Sequence, residues 1–161
     1  MSSTDIVVGL DQSESGAAAL RWAEQQARLT HAKLRIVHAW QLQAPEVFVA
    51  AVELREAKAQ DARARATQWI RDALGDAPGV PPWTLDVVEA NPGLALIERA
   101  HNASLLVIGT REHTGLRRLV AGSVSHYAIS HATCPVVAVP PTRVDTELAS
   151  AGSGPGAANH R

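Results

Sequence analysis

With 161 residues, 46% of them hydrophobic and 19% charged, the chain is long enough for one sizeable core and too apolar for a disordered segment. Its net charge of -1 argues against nucleic-acid binding through a basic surface, and its single cysteine, Cys134, precludes an intrachain disulfide framework. No apolar run approaches the ~20 residues that span a bilayer, and the opening MSSTDIVVGL shows no secretory-signal pattern, so a cytoplasmic protein without membrane contact is expected.

Asp5 to Leu10 (DIVVGL) is a short apolar run of the kind that forms a strand buried on both faces. Ser13 or Ser15 can cap the helix that follows, from about Ser15 to Leu29. Ala19, Leu20, Ala23 and Ala27 share one side of it, and such small residues let a helix lie close to a sheet. Lys33 to Trp40 (KLRIVHAW) is a second strand. A long helix from about Glu46 to Leu74 comes next, with a charged, solvated face carrying pairs such as Asp61 with Arg65, and Gly75 to stop it.

The prolines of 76–82 rule out further helix. Trp83 to Glu89 is the third strand. Asn91-Pro92-Gly93 opens a helix that reaches about His101, with Pro92 in its first turn. Leu105 to Gly109 is the fourth strand, Ser123 to His131 the fourth helix, and Pro135 to Val139 the fifth strand. Pro135 and Pro140 bracket that last strand, which places Val136–Val139 at a sheet edge able to pair with a second subunit. Residues 1–141 read as one domain, and 142–161, which include GSGPGAANHR, as a flexible tail.

The alternation of strands and helices predicts an α/β fold: a single-domain, open five-stranded parallel sheet with helices on both faces. Ligands in such folds bind beyond the carboxyl ends of the strands, where the strand order reverses. Asp11, Ala39 and Gly109 fall at such ends. The Gly122-Ser123 helix start adds a place for an anion, because the first N–H groups of a helix lack partners and carry partial positive charge.

No Walker A or GxGxxG motif is present. Instead Gly109-Thr110-Arg111 is followed, after a loop bearing Arg117 and Arg118, by Gly122-Ser123. Here the chain resembles the universal stress protein family, whose fingerprint is Gly, two residues, Gly, nine residues, then Gly with Ser or Thr. Gly109, the spacer His113 to Ala121, and Gly122-Ser123 match it, while Glu112 stands at the second glycine. The resemblance extends over about Asp5 to Val139 and includes VGLDQSESGAAAL, IVHAW, NPGLALIERA and SVSHYAISHATCPVVAVP.

The resemblance implies a Rossmann-like fold of the adenine nucleotide alpha hydrolase type, a homodimer, and a role in stress survival. It implies ATP, with Mg²⁺, held by Asp11, Ala39, Gly109, Gly122, Ser123 and Val124, with Ile108, Thr110 and Arg111 flanking them. No water-activating base is evident, so a regulatory module with little or no turnover is expected. Two other readings stay open. A nucleotide-free dimeric interaction protein would follow from Glu112, whose carboxylate at ~5 Å from a phosphate repels it by roughly 3 kcal/mol at an effective dielectric of about 20. A slow ATP hydrolase would use Asp11 to hold Mg²⁺. The seven histidines form no metal motif. Ser123, Ser125 and His126 lack the third group of a nucleophilic relay. Cys134 reads as a packed thiol, and Trp40 as packing or the wall of an adenine pocket.

Overall fold

The computed structural model describes residues 5–43, 52–75, 81–112, 119–120 and 123–142, with the backbone alone at 111–112 and 119–120. Its main sheet is built from β1 (Ile6–Gly9), β2 (Leu34–Trp40), β3 (Trp83–Glu89), β4 (Leu105–Gly109) and β7 (Val136–Val139). The helices are α1 (Glu14–Thr30), α2 (Val52–Leu74), α3 (Pro92–Ala100) and α4 (Ser123–His131). The strand order is β3-β2-β1-β4-β7, and every neighbouring pair is parallel. The order reverses between β1 and β4, which makes the carboxyl ends of those two strands the switch point.

The two-residue period of the strands divides the core into two layers. Ile6, Val8, Leu34, Ile36 and Val107 point to one face, where they meet α1 and Ile70 of α2. Val7, Val37, Leu106 and Ile108 point to the other, against Leu96 of α3 and Ala128 of α4. Ala19, Ala23 and Ala27 of α1 have no exposed surface; with side chains this short, α1 seats directly on the strands.

Helix starts and stops follow local chemistry. Ser13, not Ser15, caps α1: its extended backbone lets its Oγ accept from Gly16 N–H at 2.9 Å. Asn91 caps α3 with an oxygen that accepts from Gly93 and Leu94 N–H. The helix expected from Glu46 begins at Val52 among the described residues, and 46–51 lie outside them. Its Asp61–Arg65 pair forms at 3.0 Å, half-exposed on both sides, where such a contact contributes little.

Among the described residues strand β7 has β4 as its one partner and is an edge, as its prolines require. The stretch after β4 differs from the plain loop its glycines suggest. Its ends pair as a second, antiparallel sheet of β5 (Arg111–Glu112) and β6 (Leu119–Val120). Two residues per strand are too few to leave an alternating pattern in the sequence. No helix among the described residues is long and apolar enough to cross a membrane.

Helix α1 ends with His31 in the left-handed region, at φ 54°, so that Ala32 N–H reaches Ala27 O at 3.0 Å. A residue with a Cβ is disfavoured there by roughly 1–2 kcal/mol. After allowing for the greater freedom of glycine in the unfolded chain, His31→Gly is expected to raise stability by ~0.5–1 kcal/mol, read as a higher urea midpoint at unchanged slope.

Candidate functional site

The switch point is shaped by residues that leave no room for one another's side chains. At the end of β1, Asp11 Oδ1 accepts from Ser13 N–H at 3.0 Å and also from Ser13 Oγ. The single hydroxyl proton of Ser13 is committed to Asp11, so the 3.0 Å contact between Ser13 Oγ and Ser15 Oγ is donated by Ser15. A relay of Ser15, Ser13 and Asp11 thus closes the first turn of α1. Gly16 is needed inside it: a Cβ there would lie 2.4 Å from Asp11 Oδ1.

At the end of β4 the same constraint recurs. A Cβ on Gly109 would lie 2.6 Å from the carbonyl carbon of Ser15 and 2.8 Å from its oxygen. The missing side chain of Gly109 is therefore occupied by the backbone of α1, whatever else it admits. Ser125 Oγ, buried in the first turn of α4, donates to Gly109 O at 2.9 Å and fastens that helix to the same point.

Between these elements lies a cavity of about 260 Å³, just under the ~300 Å³ at which small-molecule pockets begin. Asp11, Ala39, Ile108, Gly109, Ser123 and Val124, singled out from the sequence, line it together. So do residues that the sequence did not mark as part of a ligand site. Val37, Pro92 and Leu96 add apolar wall, Ser15 and Ser125 add hydroxyls, and Gly9, Leu10 and Gly16 bring backbone close. The signals for several of them were present: Gly9 and Gly16 belong to the VGLDQSESG opening, and Pro92 to NPG. Leu96 is fitted by Gly9, where a Cβ would come within 3.0 Å of Leu96 Cδ1.

Other expected residues fall elsewhere. Thr110 is buried and turned to the edge strand, with its N–H 2.8 Å and its Oγ1 3.3 Å from Val139 O. It is absent from the cavity lining because its hydroxyl is drawn to that carbonyl. Arg111 belongs to β5, where its backbone pairs with Val120, and Gly122 lies outside the described residues. Trp40 ends β2, half-buried, and does not line the cavity. Glu112 pairs with Leu119 in extended backbone, a conformation open to any residue.

Chemically, the cavity offers one carboxylate, three serine hydroxyls, the start of a helix and an apolar wall among the described residues. Ser125 has given its proton to Gly109 O. Asp11 Oδ2 stays outside the capping relay and is a hard oxygen suited to Mg²⁺. Among the described residues no cluster of three His, Cys, Asp or Glu is arranged to hold a metal. Cys134, half-buried, packs with the α3–α4 layer. Burial pushes its thiol up from the ordinary value, against a partial offset from the backbone N–H groups of Cys134 and Leu106.

A family model described as the universal stress protein family matches residues 3–140. A universal stress protein of Mycolicibacterium smegmatis is 30% identical over 141 residues, which cover 83% of this chain and 47% of that protein. The chain spans about half the length of the mycobacterial relatives it matches. Among solved structures, UspA from Lactobacillus plantarum is similar in fold, with a TM-score of 0.67 at 22% identity over 86% of this chain and 99% of that one. A universal stress protein in complex with cAMP has a TM-score of 0.55 at 28% identity, covering 88% and 100% of the two chains.

Gly109→Ala tests the packing of the switch point. The added methyl meets backbone, which cannot rotate away, so a loss of ~1–3 kcal/mol is expected, measured by urea denaturation.

Proposed function

Since the chain belongs to the universal stress protein family, we propose that it is a dimeric, cytoplasmic stress-response module that binds ATP, with Mg²⁺, in the cavity at the β1–β4 switch point. The observation that carries this reading is convergence. Asp11, Ala39, Ile108, Gly109, Ser123 and Val124 come from separate elements and meet around one cavity. The family member in complex with cAMP supports an adenine nucleotide as ligand.

The geometry suggests how the ligand would lie. The base takes the apolar wall of Val37, Ala39, Pro92 and Leu96. The starts of α1 and α3 are already closed by Ser13 and Asn91, so the phosphates take the start of α4 at Ser123 and Val124, where N–H groups and the helix dipole favour negative charge. Asp11 faces the ribose or a phosphate-bound Mg²⁺. Gly122 would add backbone to the same end, and Thr110 acts as an anchor beside the site. We assign the working domain to residues 1–141; the tail expected over 142–161 lies, after Thr142, outside the described residues.

Regulation by binding fits these groups better than turnover. Among the described residues Asp11 is the lone carboxylate on the cavity wall, and it is held by the α1 cap. The second copy pairs along β7, where Val136, Val137 and Val139 are only partly covered in the single chain. A partner strand there would satisfy the open ladder and cover the valines.

Glu112 keeps a second reading in view: a dimer of the same fold that has given up nucleotide. Its extended backbone removes the need for a left-handed conformation at that position, and its carboxylate is the ground for this alternative.

Equilibrium dialysis against labelled ATP and Mg²⁺ at millimolar concentration is expected to show about one nucleotide per chain; no uptake overturns the proposal. In the same assay Glu112→Gly is expected to tighten binding by up to ~100-fold, the equivalent of roughly 3 kcal/mol of relieved repulsion. Uptake by the Glu112→Gly variant alone establishes the nucleotide-free reading for the natural chain. Sedimentation at micromolar concentration is expected to give a dimer, which a charged substitution at Ala138 dissociates.

A further inference from the structure

The alternation of β2 places His38 in line with Leu34 and Ile36, on the face covered by α1 and α2. An apolar side chain would serve packing at that position. Yet His38 is 8% exposed, and a buried polar ring persists in a core only when it is hydrogen-bonded. Its Nδ1 lies 3.0 Å from Leu10 O. A carbonyl can only accept, so Nδ1 carries the proton and donates.

That carbonyl belongs to the residue between β1 and Asp11. The parallel ladder ends at Gly9 opposite Val37, and Leu10 N–H makes one more bond, to Val37 O at 2.9 Å. The chain then turns away, and no backbone donor among the described residues reaches Leu10 O. His38 supplies it. Leu10 is consequently tied to β2 through both its N–H and its carbonyl, and the turn that follows sets out from a fixed point. The imidazole is itself held by Trp69 of α2, edge to face, with ring centroids 5.2 Å apart at 87°. Val37 and Leu10 line the cavity; His38 stands behind them and does not.

We propose that His38 is a positioning residue for the nucleotide site: from behind the sheet it fixes the Leu10 carbonyl and thereby the Asp11 turn, and Trp69 links that bond to α2. The proposal rests on the nucleotide reading of the cavity. It assigns to α2, none of whose described residues lines the cavity, a mechanical connection to the ligand.

Two substitutions separate this role from packing. His38→Phe keeps an aromatic ring for Trp69 and removes the donor. His38→Asn loses the ring and keeps an N–H near the place of Nδ1. A purely structural role ranks Phe above Asn, and positioning ranks Asn above Phe. Expected for His38→Phe is a tenfold or greater rise in the ATP dissociation constant, with His38→Asn within about threefold of the unsubstituted protein, whatever their urea midpoints. Equal affinity in His38→Phe, or affinity that follows stability across the pair, overturns the proposal.

Amide hydrogen exchange without nucleotide provides a readout independent of binding. The Ser13 and Gly16 amides are expected to exchange faster in His38→Phe and to recover in His38→Asn. Trp69→Phe, which leaves His38 in place but trims the ring that holds it, is expected to accelerate the same amides more mildly and serves if His38→Phe does not fold. Unchanged exchange in these variants refutes the positioning role. Failure of the unsubstituted chain to take up ATP, with the amides responding as expected, removes the nucleotide reading and leaves the mechanical link.

Discussion

The fold turns on how closely the first turn of α1 approaches the end of β4. The carbonyl of Ser15 stands where the side chain of any residue but glycine at 109 would begin, and Asp11 stands where a Cβ on Gly16 would begin. These contacts set the distance between the central strands and the helix that crosses them. They also set the carboxyl ends of β1 and β4 beside a hollow lined by apolar side chains, serine hydroxyls and the Asp11 carboxylate. At Gly109 the contact is with main chain, and at Gly16 it is with the Asp11 carboxylate and the carbonyl behind it, so neither has much freedom to adjust. The cavity is a consequence of this packing as much as a feature added to it.

Much of this was legible in the sequence. The runs IVVG, LRIVHAW and LLVIG announce strands buried on two sides, and their alternation with helices leaves few topologies open. The alanines of α1, the Asn-Pro-Gly helix start and the prolines around β7 each carry a local reason that the fold obeys. Less legible were groups whose role depends on what comes near them in space. Thr110 sits inside the fingerprint stretch, yet the carbonyl of Val139 takes its hydroxyl. Gly109 carries the mark of a phosphate loop, and its open side is filled by Ser15. Neither partner can be inferred from spacing along the chain.

Residues outside the expected site teach the same lesson. Leu96 and Val37 are core on one side while walling the cavity on the other. His38 continues the alternation of Leu34 and Ile36, with the reason for its polar ring lying in a carbonyl on the neighbouring strand. Sequence pattern identifies which face a side chain takes. It does not say which backbone group, left unpaired where a strand stops, waits on that face.

Thr110 has one more consequence. Both of its bonds end on the same carbonyl, that of the last residue of β7, and the β5–β6 ribbon begins at the next residue. The root of the ribbon is thus pinned to the rim strand of the sheet, as a hinge leaf is screwed to a door frame. The first residue of the ribbon and the last residue of the rim strand are, for this reason, placed by one and the same carbonyl.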